Sequence, residues 1–102
     1  MLSINPSSFE WDEAKARINL SKHGVSFLEA STVFFDAAAR VADDARHSID
    51  EQRFFIVGHS AKGRILAVSY CHRGEGALIR IISARKATRI ECETYWRNLH
   101  AR

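Results

Sequence analysis

The chain has 102 residues, a formal net charge of +3, 46% hydrophobic residues and a single proline. This size and composition predict one ordered globular domain, and they exclude a disordered chain. Cys71 and Cys92 stand outside the usual metal-ligand spacings, which favours free thiols over a disulfide or a metal site. The N-terminal residues do not resemble a secretory signal, and no apolar run is long enough to span a bilayer, so we predict a cytoplasmic protein without membrane contact.

Two helices are predicted near the N-terminus, after a flexible extension over residues 1–8. Asp12 is suited to cap the start of the first helix, and Gly24 to end it in the left-handed conformation. Ser26 followed by Glu29 predicts a capping box at the start of the second helix. The short connection between the two helices predicts an N-terminal αα-hairpin.

The middle of the chain has the apolar pattern of β-strands. Residues 39–42 are typical of a short edge strand, and residues 53–60, 64–71 and 77–84 are typical of longer strands. Because short turns join the three longer strands, we expect an antiparallel meander in an antiparallel sheet. Residues 9–11 add a short extended segment before the first helix.

The last predicted element is a helix from about Arg89 to Leu99, which Thr88 and Glu91 would begin with another capping box. A helical pair followed by strands and a closing helix is the element order of an α+β fold, without βαβ alternation. We expect residues 9–102 to form this single domain.

Basic residues are concentrated in the second half of the chain. Residues 1–51 contain five Lys/Arg against nine Asp/Glu, whereas residues 52–102 contain ten against three. This asymmetry is typical of a protein that binds a polyanion, although solvated surface charge is the alternative. Arg80, Arg85, Lys86 and Arg89 lie around the junction between the last strand and the last helix, whose N-terminus adds a partial positive charge.

Strand alternation predicts which arginines share a sheet face. It puts Arg80 on the face of Ile82 and Ala84, and Arg64 on the face of Leu66. Because a buried face would not take unpaired arginines, one face of the sheet is expected to stay partly open.

Metal-free cleavage of a phosphodiester needs a proton acceptor, a proton donor and cations that bind the phosphate. The candidate proton-transfer groups are His47, as general acid or base, and Glu51, as a reserve base that Arg53 would orient. The alternatives are that His47 is an ordinary loop histidine and that Glu51 only pairs with an arginine. The candidate phosphate-binding residues are Arg64, Arg80, Arg85 and, in support, Lys86; the first two join Arg53 in the candidate catalytic set.

The other histidines and the aromatic side chains are assigned structural positions. His59 and His72 lie beside predicted turns and are expected to be exposed, while His23 favours the C-terminal end of the first helix. One of Tyr95 and Trp96 is expected to pack and the other to be exposed. Five further aromatic side chains are expected in the core: Trp11, Phe27, Phe34, Phe54 and Phe55.

Four segments, 9–27, 47–53, 58–66 and 80–88, resemble one known family in order and spacing. They begin with F-E-W-D-E-A-K-A-R and end with R-I-I-S-A-R-K-A-T, and together the resemblance spans about residues 9–97. The family is the BrnT-type toxins of bacterial type II toxin–antitoxin systems, which are related to RelE-like ribonucleases.

The resemblance implies a RelE-like fold and a metal-independent endoribonuclease that needs no cofactor, cleaves RNA and inhibits translation. It also implies a cognate antitoxin with a ribbon-helix-helix domain, which forms a complex with the toxin. In this complex only the antitoxin contacts operator DNA. The alternative is a non-catalytic module that binds a partner or nucleic acid and regulates transcription within a complex.

Overall fold

The computed structural model describes residues 8–47, 51–74 and 77–100. The predicted flexible extension therefore lies outside the described residues, except for Ser8, which belongs to the first strand. Within the described ranges, none of the helices has the length and apolar character that crossing a membrane requires.

Three helices and five strands make up the α+β fold. They follow in the order β1 (Ser8–Glu10), α1 (Glu13–His23), α2 (Phe27–Thr32), β2 (Arg40–Asp43), β3 (Phe54–His59), β4 (Ile65–Arg73), β5 (Leu78–Lys86) and α3 (Arg89–His100). Short 3₁₀ helices follow α2 at Val33–Phe35 and β2 at Ala45–His47. The strands form one sheet in the order β1-β5-β4-β3-β2.

The sheet is mixed. β2, β3, β4 and β5 pair antiparallel in chain order, as predicted for the meander and its edge strand. β1 instead pairs parallel to β5, with Ser8 opposite Leu78 and Glu10 opposite Arg80. The expectation of an entirely antiparallel sheet is therefore wrong at its first strand. Three residues carry no pattern that fixes strand direction, and β1 is held by packing, since the rings of Phe9 and Phe34 lie 5.3 Å apart.

The predicted helix caps are present at both ends of the chain. The Asp12 side chain accepts a hydrogen bond from the Lys15 amide at 2.9 Å, and Gly24 ends α1 with a φ of 69°. Thr88 and Glu91 form the reciprocal capping box of α3, at 2.8 and 3.2 Å. These caps are local in sequence, which is why the sequence predicts them.

The capping box predicted for α2 forms only in part. Ser26 Oγ accepts a hydrogen bond from the Glu29 amide at 3.0 Å, which is one of the two bonds of the motif. The Glu29 carboxylate does not complete the motif, because it accepts hydrogen bonds from Ser60 and Arg64. Arg64, which is distant in sequence, thus binds the Glu29 carboxylate that the sequence pattern assigns to the cap.

The core lies between the sheet and the pair α1 and α2. Phe27 and Val33 from the helical side meet Leu66, Val68 and Ile79 from the strands, and all five are almost fully buried. Asn19 of α1 is buried in the same layer and forms three hydrogen bonds: its Nδ2 donates to the carbonyls of Val25 and Ala84, and its Oδ1 accepts from the Ala84 amide. This side chain fixes α1 to β5.

Candidate nucleic-acid interface

A β-bulge in β5 decides which side chains reach the open side of the sheet. Ser69 pairs with Ser83, whereas the next residue of β4, Tyr70, pairs with Ile81, so Ile82 is an extra residue. Such an extra residue reverses the alternation of side chains between the two faces.

The bulge overturns the predicted grouping of Arg80 with Ala84. Ala84 is buried in the core, on the side where Ile79 and Ile81 also lie. Alternation around the bulge then puts Arg80 and Arg85 together on the opposite face, which we call the α3 face because α3 packs against β3 there.

A cleft of about 370 Å³ crosses the α3 face. Its floor carries the Ser69 and Ser83 hydroxyls and the ring of Phe55, so Phe55 lines the cleft and the prediction that it belongs to the core is wrong. Arg53 and Arg85 flank this floor, and His23 and Asp44 line it further out. A groove with two guanidinium groups, two hydroxyls and an aromatic ring has the chemistry to bind a nucleotide phosphate and its base.

Arg85 is held in place over this groove. Its Nη1 and Nη2 donate to the Glu91 carboxylate at 2.8 and 3.1 Å, and its guanidinium carbon lies 6.0 Å from the centre of the Phe55 ring. The hydrogen bonds from Arg85 lower the pKa of Glu91, although burial opposes the shift. The pair therefore stays ionised, and the capping carboxylate of α3 also fixes the direction of Arg85.

Arg80 lies on the same face, nearer the start of β5. Its Nη1 donates to Glu10 at 2.7 Å, and its register partner on β4 is Cys71. The Cys71 thiol donates to Glu51 at 3.5 Å, and Arg73 lies 3.4 Å from the other oxygen of that carboxylate. Glu51 is thus linked through Cys71 to the position of β4 that pairs with Arg80.

Arg64 and Lys86 do not join this cluster. Arg64 donates from Nε to Glu29 at 2.9 Å, from Nη2 to the same carboxylate, and from Nη2 to the Gly24 carbonyl at 3.0 Å. These contacts direct Arg64 towards α2, and alternation puts Lys86 on that side with Leu66. The prediction of one phosphate-binding core from Arg64, Arg80, Arg85 and Lys86 is therefore wrong, because these residues divide between the two faces.

Glu29 makes the Arg64 contact a structural ion pair. The Glu29 side chain is 2% exposed, and its Oε2 also accepts a hydrogen bond from Ser60 at 2.7 Å. The hydrogen bond from Arg64 holds the pKa of Glu29 below its ordinary value of 4.5, although burial opposes the shift. Arg64 therefore compensates a buried charge beneath the sheet.

The predicted proton-transfer groups are described to different extents. The backbone of His47 ends the 3₁₀ helix that follows Asp44, but its side chain lies outside the described part of the structure. Arg53 precedes β3, and its carbonyl accepts a hydrogen bond from the Asp44 amide at 2.9 Å. The loop that carries His47 thus begins at the Asp44 end of the groove.

Sequence reasoning missed several residues of this face. His23 ends α1 as predicted but also lines the groove, and the serines of β4 and β5 become its floor. On the opposite face, His72 is half-buried and its ring lies 5.3 Å from that of Phe54, so the prediction that it is exposed is wrong. No local pattern distinguishes these residues, because the contacts depend on strand register.

A hydrogen-bonded chain links β3 to α3 beside the groove. The Tyr95 hydroxyl donates to Asp36 Oδ2 at 2.7 Å and lies 3.0 Å from His59 Nδ1. His59 is half-buried, contrary to the predicted exposure, and Tyr95 packs while Trp96 is 42% exposed, as predicted for one of each. Burial and the Asp36 charge raise the pKa of Tyr95 to about 12.

Burial of Asp36 opposes its ionisation, but the amides of His59 and Ala38 and the Tyr95 hydroxyl donate to it and together lower its pKa. Asp36 is therefore a carboxylate in the folded protein. Within residues 8–47, 51–74 and 77–100, no group of three or more His, Cys, Asp or Glu side chains is placed to hold a metal ion.

The family of this chain is shown by comparison with known proteins. Residues 11–91 match the model of the ribonuclease toxin BrnT of type II toxin–antitoxin systems. The fold is similar to the 1.1 Å crystal structure of the Brucella abortus ribonuclease toxin BrnT, with a TM-score of 0.62 and 25% sequence identity over 80% of this chain and 97% of that one. No curated protein sequence matches the chain. The chain belongs to the BrnT family of ribonuclease toxins.

Proposed function

We propose that this protein is an endoribonuclease that cleaves RNA without a metal ion, inhibits translation and acts in the cytoplasm as a single domain. The observation that carries the proposal is that Arg53 and Arg85 line one groove and Arg80 lies on the same sheet face, in a chain of the BrnT family. Positioned guanidinium groups stabilise the charge that develops on a phosphate during cleavage.

We assign phosphate binding to Arg80 and Arg85. A guanidinium has five N–H donors, and Arg85 uses its two Nη groups for Glu91, so it keeps donors for a phosphate. The carboxylate partners hold the guanidinium planes in place, which reduces the entropy lost when RNA binds. The Ser69 and Ser83 hydroxyls would donate to the same RNA backbone.

Proton transfer remains assigned to the loop around residue 47 and to Glu51. His47 is the proposed general acid or base, since an imidazole changes its charge between about pH 5 and 8. Glu51 is the reserve base because it accepts a hydrogen bond from Cys71, and Cys71 is the β4 residue that pairs with Arg80. Arg53 would orient the RNA or Glu51 from the other side of the groove.

The test is cleavage of a defined RNA by the purified chain, with and without a chelator. We expect cleavage that the chelator leaves unchanged, and a loss of about 10²–10³ in rate for Arg85→Ala and for Arg80→Ala. Arg89→Ala is the control, because Arg89 is an exposed α3 arginine that pairs only locally with Glu93.

Three outcomes would overturn parts of this assignment. Inhibition by the chelator would reject the metal-free reaction, and a double variant Arg80→Ala/Arg85→Ala that still cleaves would reject the phosphate site. A folded wild-type chain that cleaves no RNA, with or without ribosomes, would reject the enzyme.

The proposed partner is a ribbon-helix-helix antitoxin that covers the α3 face and contacts operator DNA. A type II system contains a protein antitoxin, and the family assignment supports its presence. Co-expression with the neighbouring short reading frame should give a complex that no longer cleaves RNA. Operator DNA should bind the complex and not the free toxin.

A second candidate function is a non-catalytic docking module. It is favoured by the ion pairs of Arg80 with Glu10 and of Arg85 with Glu91, which leave both arginines locally neutralised. A module would bind its partner with full affinity and cause no growth arrest when expressed alone. An enzyme would arrest growth, and Arg85→Ala would relieve the arrest without abolishing partner binding.

A further inference from the structure

We infer that His59, in place of His47 or Glu51, is the base that accepts the proton of the attacking 2′-hydroxyl, and that Tyr95 and Asp36 position it. The inference rests on the proposed cleavage of RNA. It starts from the hydrogen-bonded chain that joins the end of β3 to α3.

The hydrogen bonds determine which nitrogen of His59 is free. Asp36 is ionised and can only accept, so the single proton of the Tyr95 hydroxyl is donated to Asp36. The contact of 3.0 Å between His59 Nδ1 and the Tyr95 oxygen then requires Nδ1 to carry a proton and donate it. A neutral imidazole protonated at Nδ1 has its lone pair on Nε2, which is the form of a general base.

The backbone around Gly58 is shaped to hold this chain. Asp36 Oδ2 accepts the His59 amide at 2.8 Å, while its Oδ1 accepts the Ala38 amide at 3.0 Å. A Cβ on Gly58 would lie 2.9 Å from Asp36 Oδ2 and 2.8 Å from the Ala39 side chain. Only glycine permits this close approach of the Asp36 carboxylate to the backbone of β3. The carboxylate is linked to the His59 imidazole by two hydrogen bonds that meet at the Tyr95 hydroxyl.

Helix α3 places the imidazole next to the phosphate site. Glu91, which holds Arg85, and Tyr95, which holds His59, are four residues apart in this helix. Residues at this spacing lie on one helix face about 5–6 Å apart, which is close to the spacing of neighbouring groups along an RNA backbone. An RNA strand bound by Arg85 that followed this helix face would pass the imidazole of His59, which also packs against Trp96.

The proposed step conserves protons and charge. Nε2 takes the proton of the 2′-hydroxyl while the 2′-oxygen forms its bond to phosphorus and the bond from phosphorus to the 5′-oxygen breaks. The 5′-oxygen takes a proton from solvent water, and the imidazolium later returns its proton to solvent. The products are a 2′,3′-cyclic phosphate and a 5′-hydroxyl. Asp36 stabilises the imidazolium through Tyr95 and does not itself become protonated.

The experiment measures single-turnover cleavage of a short RNA by His59→Ala, with free imidazole added to the assay. General base catalysis by a side chain contributes about 10²–10⁴ in rate, so we expect a loss of this size. Added imidazole should restore a measurable part of the rate, since a small base can enter the space left by the ring. It should restore nothing to Arg85→Ala.

Two further variants test whether the Tyr95 hydroxyl positions His59 for catalysis. Tyr95→Phe keeps the packed ring and removes the hydroxyl, so it should cleave more slowly than wild type and move the ¹⁵N shifts of the His59 ring away from an Nδ1-protonated pattern. His100→Ala is the matched control, because His100 lies at the end of α3 and stacks on Trp96 without joining the chain. Its rate should equal that of wild type.

The outcomes distinguish this inference from the function it rests on. If the wild type cleaves RNA and folded His59→Ala cleaves within threefold of it, the inference is overturned and the proposed ribonuclease stands. If His59→Ala is slow but imidazole restores nothing, or if Nε2 carries the proton in the wild type, the role as base is also rejected. If the wild type cleaves nothing, both fail.

Discussion

The two faces of the sheet use the same kind of ion pair for different purposes. On the face covered by α1 and α2, which we call the helix-covered face, Arg64 meets a Glu29 side chain that is 2% exposed, so this carboxylate is part of the packed interior although the Arg64 side chain is 32% exposed. On the α3 face, Arg85 meets a Glu91 side chain that is 31% exposed, and solvent or a ligand can reach the guanidinium. An arginine paired with a carboxylate is therefore informative only when the burial of its partner is known.

The largest expected effect comes from the buried amide on the helix-covered face. Asn19→Ala should lower the free energy of unfolding by about 3 kcal/mol, because the Ala84 N–H and C=O and the Val25 carbonyl each lose a buried partner. Thermal and urea unfolding would measure the change. Arg17→Ala, at an exposed position of the same helix, should change stability by less than about 0.5 kcal/mol. Equal losses for both variants would contradict the role of Asn19.

The next effect compares two carboxylates that each hold an arginine. Glu29→Ala should lower the free energy of unfolding by about 2–3 kcal/mol, because it leaves Arg64 facing a buried site without its carboxylate. Glu10→Ala, which removes the partner of Arg80 in an exposed pair, should lower it by less than about 1 kcal/mol. Urea unfolding of the two variants side by side is the measurement. If Glu10→Ala proves as costly, the distinction between the faces is lost.

A smaller effect appears in the dependence of stability on pH. The lowered pKa of Glu29 gives stability that is fully present above its ordinary value of 4.5 and is lost as the pH falls through the lower folded value. Glu29→Gln should therefore be less stable than wild type at pH 7 and show a shallower loss of stability in acid. Urea midpoints measured from pH 7 down to pH 3 should therefore become more similar for the wild type and Glu29→Gln as the pH falls. Parallel curves would mean that Glu29 does not titrate with folding.

The smallest expected effect is at Tyr70, on the helix-covered face. Tyr70 is fully buried, burial raises its pKa to about 12, and its hydroxyl has no hydrogen-bond partner among the described residues. Tyr70→Phe removes an unpaired polar atom and keeps the ring, so stability should change by less than about 0.5 kcal/mol or rise slightly. A loss above about 1 kcal/mol would instead indicate a bonded hydroxyl.

Local sequence patterns predicted most of the fold. The caps at Asp12 and Thr88 and the left-handed Gly24 depend on residues within one helical turn, and the structure contains all three. The strand bounds were predicted to within two residues because apolar runs between turns mark them. The parallel pairing of β1 was missed, because it joins residues about 70 positions apart through a three-residue strand.

The candidate site was predicted in its residue types but not in its grouping. Arg80 and Arg85 share a face only because Ile82 is an extra residue in β5, and apolar patterning gives no sign of that bulge. Arg64 was grouped with them by strand position, whereas its partner Glu29 was already assigned to a helix cap. His59 was judged by its nearness to a turn, although its contacts come from Asp36 and Tyr95.

The bulge also determines how the residues of β5 correspond to those of a strand without a bulge. Deleting Ile82 would give strict alternation in β5 while leaving Arg80 and Arg85 on the α3 face and Ala84 in the core. Loss of this one residue is therefore compatible with both faces of the sheet, whereas in a regular strand it would move every later side chain to the other face. An alignment without a gap to a relative that lacks this bulge would match arginines of one face with core residues of the other, and functional residues transferred through it would be assigned to the wrong side of the protein.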